Sequence, residues 1–382
     1  ESHPGLYDFL IHFDTTDVYE CNNDFQTASL ISLDDTVHAA INSNGDADYF
    51  TFYVPRAGVL DISVTNVPGS LDLEYDLFGP AQGYIEGFNS SNGAPFFTRK
   101  LVCDSGYYYI RLRDFNNNES HPGLYDFLIH FDTTDVYECN NDFQTATLIA
   151  LGDTIQDAIN SVGDADYYTF HVPKAGVLDI RVTNVPGSLD MEYDLFNSAQ
   201  GYIEGFNASN GAPFYTRRLI CDTGFYYIRL RDFNSNESER GLYDFHIYYD
   251  TTDTYECNDN FATAGAVSLC DTIKASIAAN NDLDFFEFTA TGGQSLVFTL
   301  TNVPPNINPV VKFYDAFQNQ IYTRTMNLGQ PLLDSLTIPT SGQYYARISD
   351  GGLDGSSTDL YHLFLQQDCN LVSSQDELDL EI

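Results

Sequence analysis

Hydrophobic and polar residues alternate along the chain in short runs broken by turn signals. Asp35–Ile41 (DTVHAAI) reads as a strand, and Asn42–Ala47 (NSNGDA) as a turn. Asp48–Val54 (DYFTFYV) alternates, Pro55–Gly58 turns, and Val59–Val67 (VLDISVTNV) extends again. Leu71–Phe78 (LDLEYDLF), Gly106–Phe115 (GYYYIRLRDF) and Gly123–Phe131 (GLYDFLIHF) follow the same rule. In the last of these Tyr125, Phe127, Ile129 and Phe131 share one face, opposite Asp126 and His130. That is the pattern of a strand with one buried side. Seven or so such strands at this spacing predict an antiparallel sandwich. No segment carries a helical period over several turns.

The pattern repeats. Shifted by 118 residues, Glu119–Ala146 equals Glu1–Ala28 letter for letter, and VTNVPGSLD recurs at Val64–Asp72 and Val182–Asp190. A diverged third copy begins at Asp253–Ala264 (DTYECNDNFATA). Repeats set the architecture. The expected division is a strand over 1–14, three sandwich units over 15–132, 133–250 and 251–369, and an acidic tail over 370–382. Almost no linker separates the units, which favours a semi-rigid array.

The closing strand occurs four times but the body only three. In the first copy Tyr7, Phe9, Ile11 and Phe13 would share an apolar face, worth roughly 1.5–3 kcal/mol each if buried. An exposed strand of this kind invites aggregation. Three resolutions stand open: a longer natural array, donation to the sandwich of another molecule, or membership of the unit that follows. Donation would be head-to-tail and would build a filament of identical subunits.

Tyr (27) and Phe (28) are abundant and Trp is absent, which suits β structure. The formal charge of -39, from 55 acidic and 16 basic residues, excludes a nucleic-acid partner. It also speaks against anionic membrane surfaces and fits an extracellular protein that binds divalent cations or stays soluble by self-repulsion. No run of ~20 apolar residues is present, so no direct membrane span is expected.

The blocks D-x-Y-E-x-N-(N/D)-x-F-x-T-A, L-x-D-T-(I/V)-x-x-x-I, G-D-A-D-Y-(Y/F)-x-F-x-V, A-G-x-L-D-I and Y-Y-I-R-L, in that order, resemble the bacterial pre-peptidase C-terminal domain. The resemblance covers all three repeats. It implies extracellular jelly-roll-like β-sandwiches, often appended to secreted peptidases, and kinship with collagen-binding domains that hold calcium. One departure stands out: Cys21, Cys139 and Cys257 occupy a position where the family usually has Pro.

Cys21 and Cys103 are 82 residues apart, as are Cys139 and Cys221. The equal spacing predicts two disulfides within units, Cys21–Cys103 and Cys139–Cys221. Unit 3 has Pro339 where the second cysteine should stand, which leaves Cys257, Cys270 and Cys369, with Cys257–Cys369 and Cys270–Cys369 as rival pairings. Paired cysteines imply an oxidising compartment.

Oxygen donors cluster at two places in each unit. The lead-in supplies Glu20, Asn22, Asn23 and Asp24, then Glu138, Asn140, Asn141 and Asp142, then Glu256, Asn258, Asp259 and Asn260. An Asp-x-Asp turn adds Asp46 and Asp48, Asp164 and Asp166, Asp282 and Asp284. Calcium takes six to eight oxygens in flexible geometry, so these residues are its candidate ligands. The competing reading is that Asn and Asp cap turns.

Asp104–Gly106 (DSG) and Asp222–Gly224 (DTG) imitate protease motifs but share one repeat position, where unit 3 reads TSG, so they are turns. The eight histidines form no HExxH pair, and no phosphate-binding Gly loop follows a strand. Asn89, Asn118, Asn207 and Asn236 head N-x-S triplets, and the DTT stretches at Thr15, Thr133 and Thr251 resemble an O-glycosylation pattern of secreted bacterial proteins.

The sequence therefore reads as a secreted, non-enzymatic array, a structural component of a filament or surface fibre. The alternative is an adhesion or substrate-binding module for glycans, collagen or other matrix, or the targeting tail of a secreted hydrolase.

Overall fold

A computed structural model describes residues 8–11, 15–120, 123–238 and 241–367. All regular structure among them is β, with no helix, as the alternating pattern predicts. Accordingly, no helix among the described residues is long and apolar enough to cross a membrane.

Unit 1 contains β1 (Ser29–Leu30), β2 (Thr36–Ala39), β3 (Ala47–Val54), β4 (Gly58–Thr65), β5 (Leu73–Phe78), β6 (Tyr84–Asn89), β7 (Phe96–Val102), β8 (Gly106–Asp114) and β9 (Tyr125–Asp132). One sheet has the order β1-β3-β8-β5-β6 and the other β2-β9-β4-β7. Only the two-residue β1 pairs parallel, and it lies at a sheet edge. Units 2 and 3 repeat both sheets.

Alternation places one side of each strand in the core. In β3 Phe50, Phe52 and Val54 are fully buried while Tyr53 between them is half exposed. From the opposite sheet β9 contributes Tyr125, Phe127 and Ile129. Each unit closes over its own core of this kind.

Each body is completed by the strand that follows it. β9 lies between β2 and β4, with Leu128 opposite Thr36 and Ile129 opposite Ile62. Tyr243–Asp250 and Tyr361–Gln366 do the same in units 2 and 3. The last copy carries Gln367 where β9 ends in the Phe131 region, and the amide is put to use. Thr291 N donates to its Oε1 at 2.6 Å and its Nε2 donates to Thr291 O at 3.0 Å. The closing strand of unit 3 is thus pinned to its own unit.

Phe9 and Ile11 of the first copy are 79% and 76% exposed, against 1% for both Phe127 and Ile129. Residues 8–11 join none of the sheets. Tyr7, Phe13, Cys369 and the acidic tail over 370–382 lie outside the described residues.

The cysteines overturn the predicted pairing. Cys103 bonds to Cys139 and Cys221 to Cys257, each across 36 residues. Neither Cys21–Cys103, Cys139–Cys221 nor Cys257–Cys369 forms. The bridges join consecutive units instead of closing single ones. Cys103 stands immediately after β7, at the turn into β8, and that turn meets the lead-in of unit 2. Cys21 is free and exposed. Cys270 is disulfide-bonded.

Candidate cation sites at the unit joints

The lead-in of each unit folds across the end of β3 or its equivalent. Tyr49 N donates to Asn22 O at 2.8 Å, and the same contact recurs as Tyr167 to Asn140 and Phe285 to Asn258. This tether brings three carboxylates together: Asp17, Glu20 and Asp48 in unit 1, Asp135, Glu138 and Asp166 in unit 2, Asp253, Glu256 and Asp284 in unit 3. Within each triad the nearest oxygens lie within 4.8 Å of one another.

Asp17, Asp135 and Asp253 were absent from the ligand set expected from sequence. The backbone holds them in place: Tyr19 N donates to Asp17 Oδ1 at 2.9 Å and Ala40 N to Oδ2 at 2.6 Å. Asp253 is held the same way by Tyr255 and Ser276. The signal that could have found them is the fixed spacing D-x-x-E in all three lead-ins.

The second Asp of each Asp-x-Asp turn is wholly buried. One oxygen of Asp48 accepts from the Tyr125 hydroxyl, while Oδ1 has no partner. Tyr243 and Tyr361 hold Asp166 and Asp284 the same way, and again Oδ1 is left over. Glu138 Oε2 and both oxygens of Glu256 are likewise buried without a partner. The first Asp of the turn caps it: Asp46 accepts from Asn42 N at 2.7 Å and Ala47 N at 3.0 Å. Asp164 and Asp282 repeat the contact to the residue four before them.

Not every predicted ligand joins the triad. Asp24 and Asp142 stand on the surface, where Oδ1 accepts from the backbone of Gln26 and Thr27, or Gln144 and Thr145. Those hydrogen bonds hold both carboxyls below their ordinary range. They are turn caps, and Asn260 does the same in unit 3. Asn22 and Asn140 are fully buried with both side-chain polar atoms unpartnered, and Asn258 has an unpartnered Oδ1. Asp259 Oδ1 accepts from Leu283 N at 3.3 Å.

Packing so many acids together is costly in the absence of a cation. Burial first, then neighbouring acids, pushes Asp48 up to about 8, Glu138 and Glu256 to about 9, and Asp282 to about 7. Among the described ion pairs none brings a Lys or Arg to these carboxylates. The donor set is all oxygen, with no imidazole or thiolate, and each site has at least one buried oxygen without a partner. That chemistry fits a hard divalent cation, calcium above zinc.

The sites of units 2 and 3 each adjoin a joint. Glu138 and Cys139 are consecutive, as are Glu256 and Cys257. The disulfide from the preceding unit therefore lands next to a candidate ligand of the following one.

The other predicted positions are dispersed. Asn89, Asn118, Asn207, Asn236 and Thr15 are exposed, whereas Thr133 and Thr251 are partly buried. Asn89 and Asn207 are the last residues of their strands.

No protein-family model matches the chain, and no curated protein matches it. Among solved structures it is similar to the pre-peptidase C-terminal domain of a collagenase from Bacillus anthracis. That likeness has 26% identity and a TM-score of 0.23, over 27% of this chain and 93% of that one. It is also similar to tandem CBM51 modules of a family 98 glycoside hydrolase from Streptococcus pneumoniae, at 8% identity and TM-score 0.20, over 57% and 85%. A tandem CBM22 domain of Paenibacillus barcinonensis Xyn10C matches at 11% and 0.20, over 56% and 91%. These likenesses concern the β-sandwich fold alone.

Proposed function

We propose that the chain is a stiffened segment of an extracellular fibre, built of units of the pre-peptidase C-terminal type. Each internal joint is fastened by one disulfide and one calcium ion. The observation that carries this reading is the position of the disulfides. Cys103–Cys139 and Cys221–Cys257 give neighbouring units a second covalent connection beside the chain itself. A module that merely bound a ligand would not need its units locked in series. Disulfides also favour an oxidising, extracellular setting.

Calcium completes the joint. At the first, Asp135, Glu138 and Asp166 would hold it, and at the second Asp253, Glu256 and Asp284. Bound there, the ion neutralises the acids and fixes the lead-in beside the bridging cysteine. The chain's own part is to position carboxylates through backbone hydrogen bonds and the tyrosine of the closing strand. No catalytic role belongs to this reading.

Small-angle X-ray scattering of the full chain tests it. With calcium and intact disulfides the particle should scatter as a rigid body. Chelator plus reductant should produce the signature of hinged units. Scattering unchanged by both treatments would refute the reading.

A binding role for glycans or matrix proteins is the second reading, supported by the likeness to carbohydrate-binding modules in fold. Binding to an immobilised glycan panel that survives chelation and reduction would favour it.

A further inference from the structure

Segment Glu119–Asn141 shows what its duplicate can do. Its strand β9 fills the gap between β2 and β4. Seven residues past the end of β9, Cys139 bonds Cys103, which directly follows β7 of the same sheet. One peptide thus closes a sandwich and locks itself to that sandwich. Glu1–Asn23 has the same sequence, letter for letter. Yet in that copy Phe9 and Ile11 are exposed and Cys21 is a free, exposed thiol.

Among the described residues there is no place for the duplicate. All three sandwiches already hold their own closing strand. Cys103 and Cys221 are already bonded, and unit 3 has Pro339 at the equivalent position.

We infer that the segment carrying Phe9, Ile11 and Cys21 is a two-part plug for another sandwich of the same type, one with an open slot between its β2- and β4-like strands and an unpaired cysteine at the position of Cys103. The strand docks first, and Cys21 then forms the lock. The two thiols yield two protons and two electrons to a small-molecule disulfide such as oxidised glutathione, which leaves as two thiols. The acceptor is a β-sandwich unit, in the same polypeptide or in another molecule. Because unit 3 lacks the cysteine, a second copy of the described chain cannot supply the locked end. The inference extends the fibre reading, but the two internal joints do not depend on it.

The test uses protein from its native source, alkylated with iodoacetamide under denaturing conditions and digested without reduction. Mass spectrometry should find Cys21 linked to a peptide whose cysteine precedes a Gly-aromatic-Tyr strand, as Cys103 does. Cys21 recovered only in alkylated form would overturn the inference. Electrophoresis separates the two sources. A band that drops in mass on reduction means a separate molecule, and an unchanged band means the same polypeptide. In a Phe9→Asp, Ile11→Asp chain the Cys21 linkage should fall by about tenfold or more, since two buried apolar contacts are lost. Linkage unaffected by that change would show that the strand has no part in docking. The Cys103–Cys139 peptide in the same digest reports separately on the internal joint.

Discussion

The Tyr125 hydroxyl, on the closing strand, donates to one oxygen of the buried Asp48 and leaves the other facing an acid cluster without a partner. This contact couples completion of the sandwich to formation of the candidate cation site. Tyr125→Phe keeps the ring packed but removes the donor. It should lower the stability of the metal-free chain by about 1–3 kcal/mol and weaken calcium binding at unit 1 only. Urea denaturation with and without calcium measures both, and a neutral result would mean the contact does not matter.

The raised carboxyl values set a pH dependence. Asp48 is pushed to about 8, chiefly by burial, whereas an unfolded Asp titrates near 4, about 3.9. Between those values the metal-free folded state holds a proton that the unfolded chain has lost. Stability is therefore fullest below the lower value and declines as pH rises through the upper one. Glu138 and Glu256 add the same sign. The urea midpoint of the metal-free chain should be lower at pH 8 than at pH 5, and calcium should remove the difference. A midpoint that rises with pH in the metal-free protein would contradict the burial argument.

Unit 2 carries an additional acid. Tyr168 donates to the fully buried Asp157, where units 1 and 3 pair Phe50 with Ala39 and Phe286 with Ala275. Asp157→Ala alone strands the tyrosine hydroxyl and should cost about 1–3 kcal/mol. Adding Tyr168→Phe restores the pair used by the other units, and the double variant should be more stable than the single. A thermodynamic cycle on the metal-free chain checks this. Strict additivity of the two changes would contradict it.

Cys139→Ala should free Cys103 for alkylation while Cys221 stays protected. On chain-entropy grounds, opening a bridge across 36 residues costs roughly 3–4 kcal/mol. Protection of Cys103 in this variant would mean that it has another partner.

The β-sandwich was legible because alternation fixes which face of each strand is buried, as in Phe50, Phe52 and Val54. The cysteine pairing was not. In a repeat, spacings of 82 and 36 recur equally, so regularity cannot choose between them. Pro339 held the clue: it leaves Cys257 without a within-unit partner at the 82-residue spacing, and Cys257 pairs with Cys221 of the preceding unit. Asp17 was missed although D-x-x-E recurs in every lead-in, and Asp24 lies outside the triad as a turn cap, since a carboxylate that caps a turn has the same letter as one that faces an acid cluster.

Calorimetric titration of the metal-stripped, oxidised chain with calcium tests the joint most directly. The account predicts saturable binding at the three acid triads, with loss of only the unit 2 site in Glu138→Gln and a calcium-dependent rise in the urea midpoint of the parent. No binding heat together with an unmoved midpoint would contradict it.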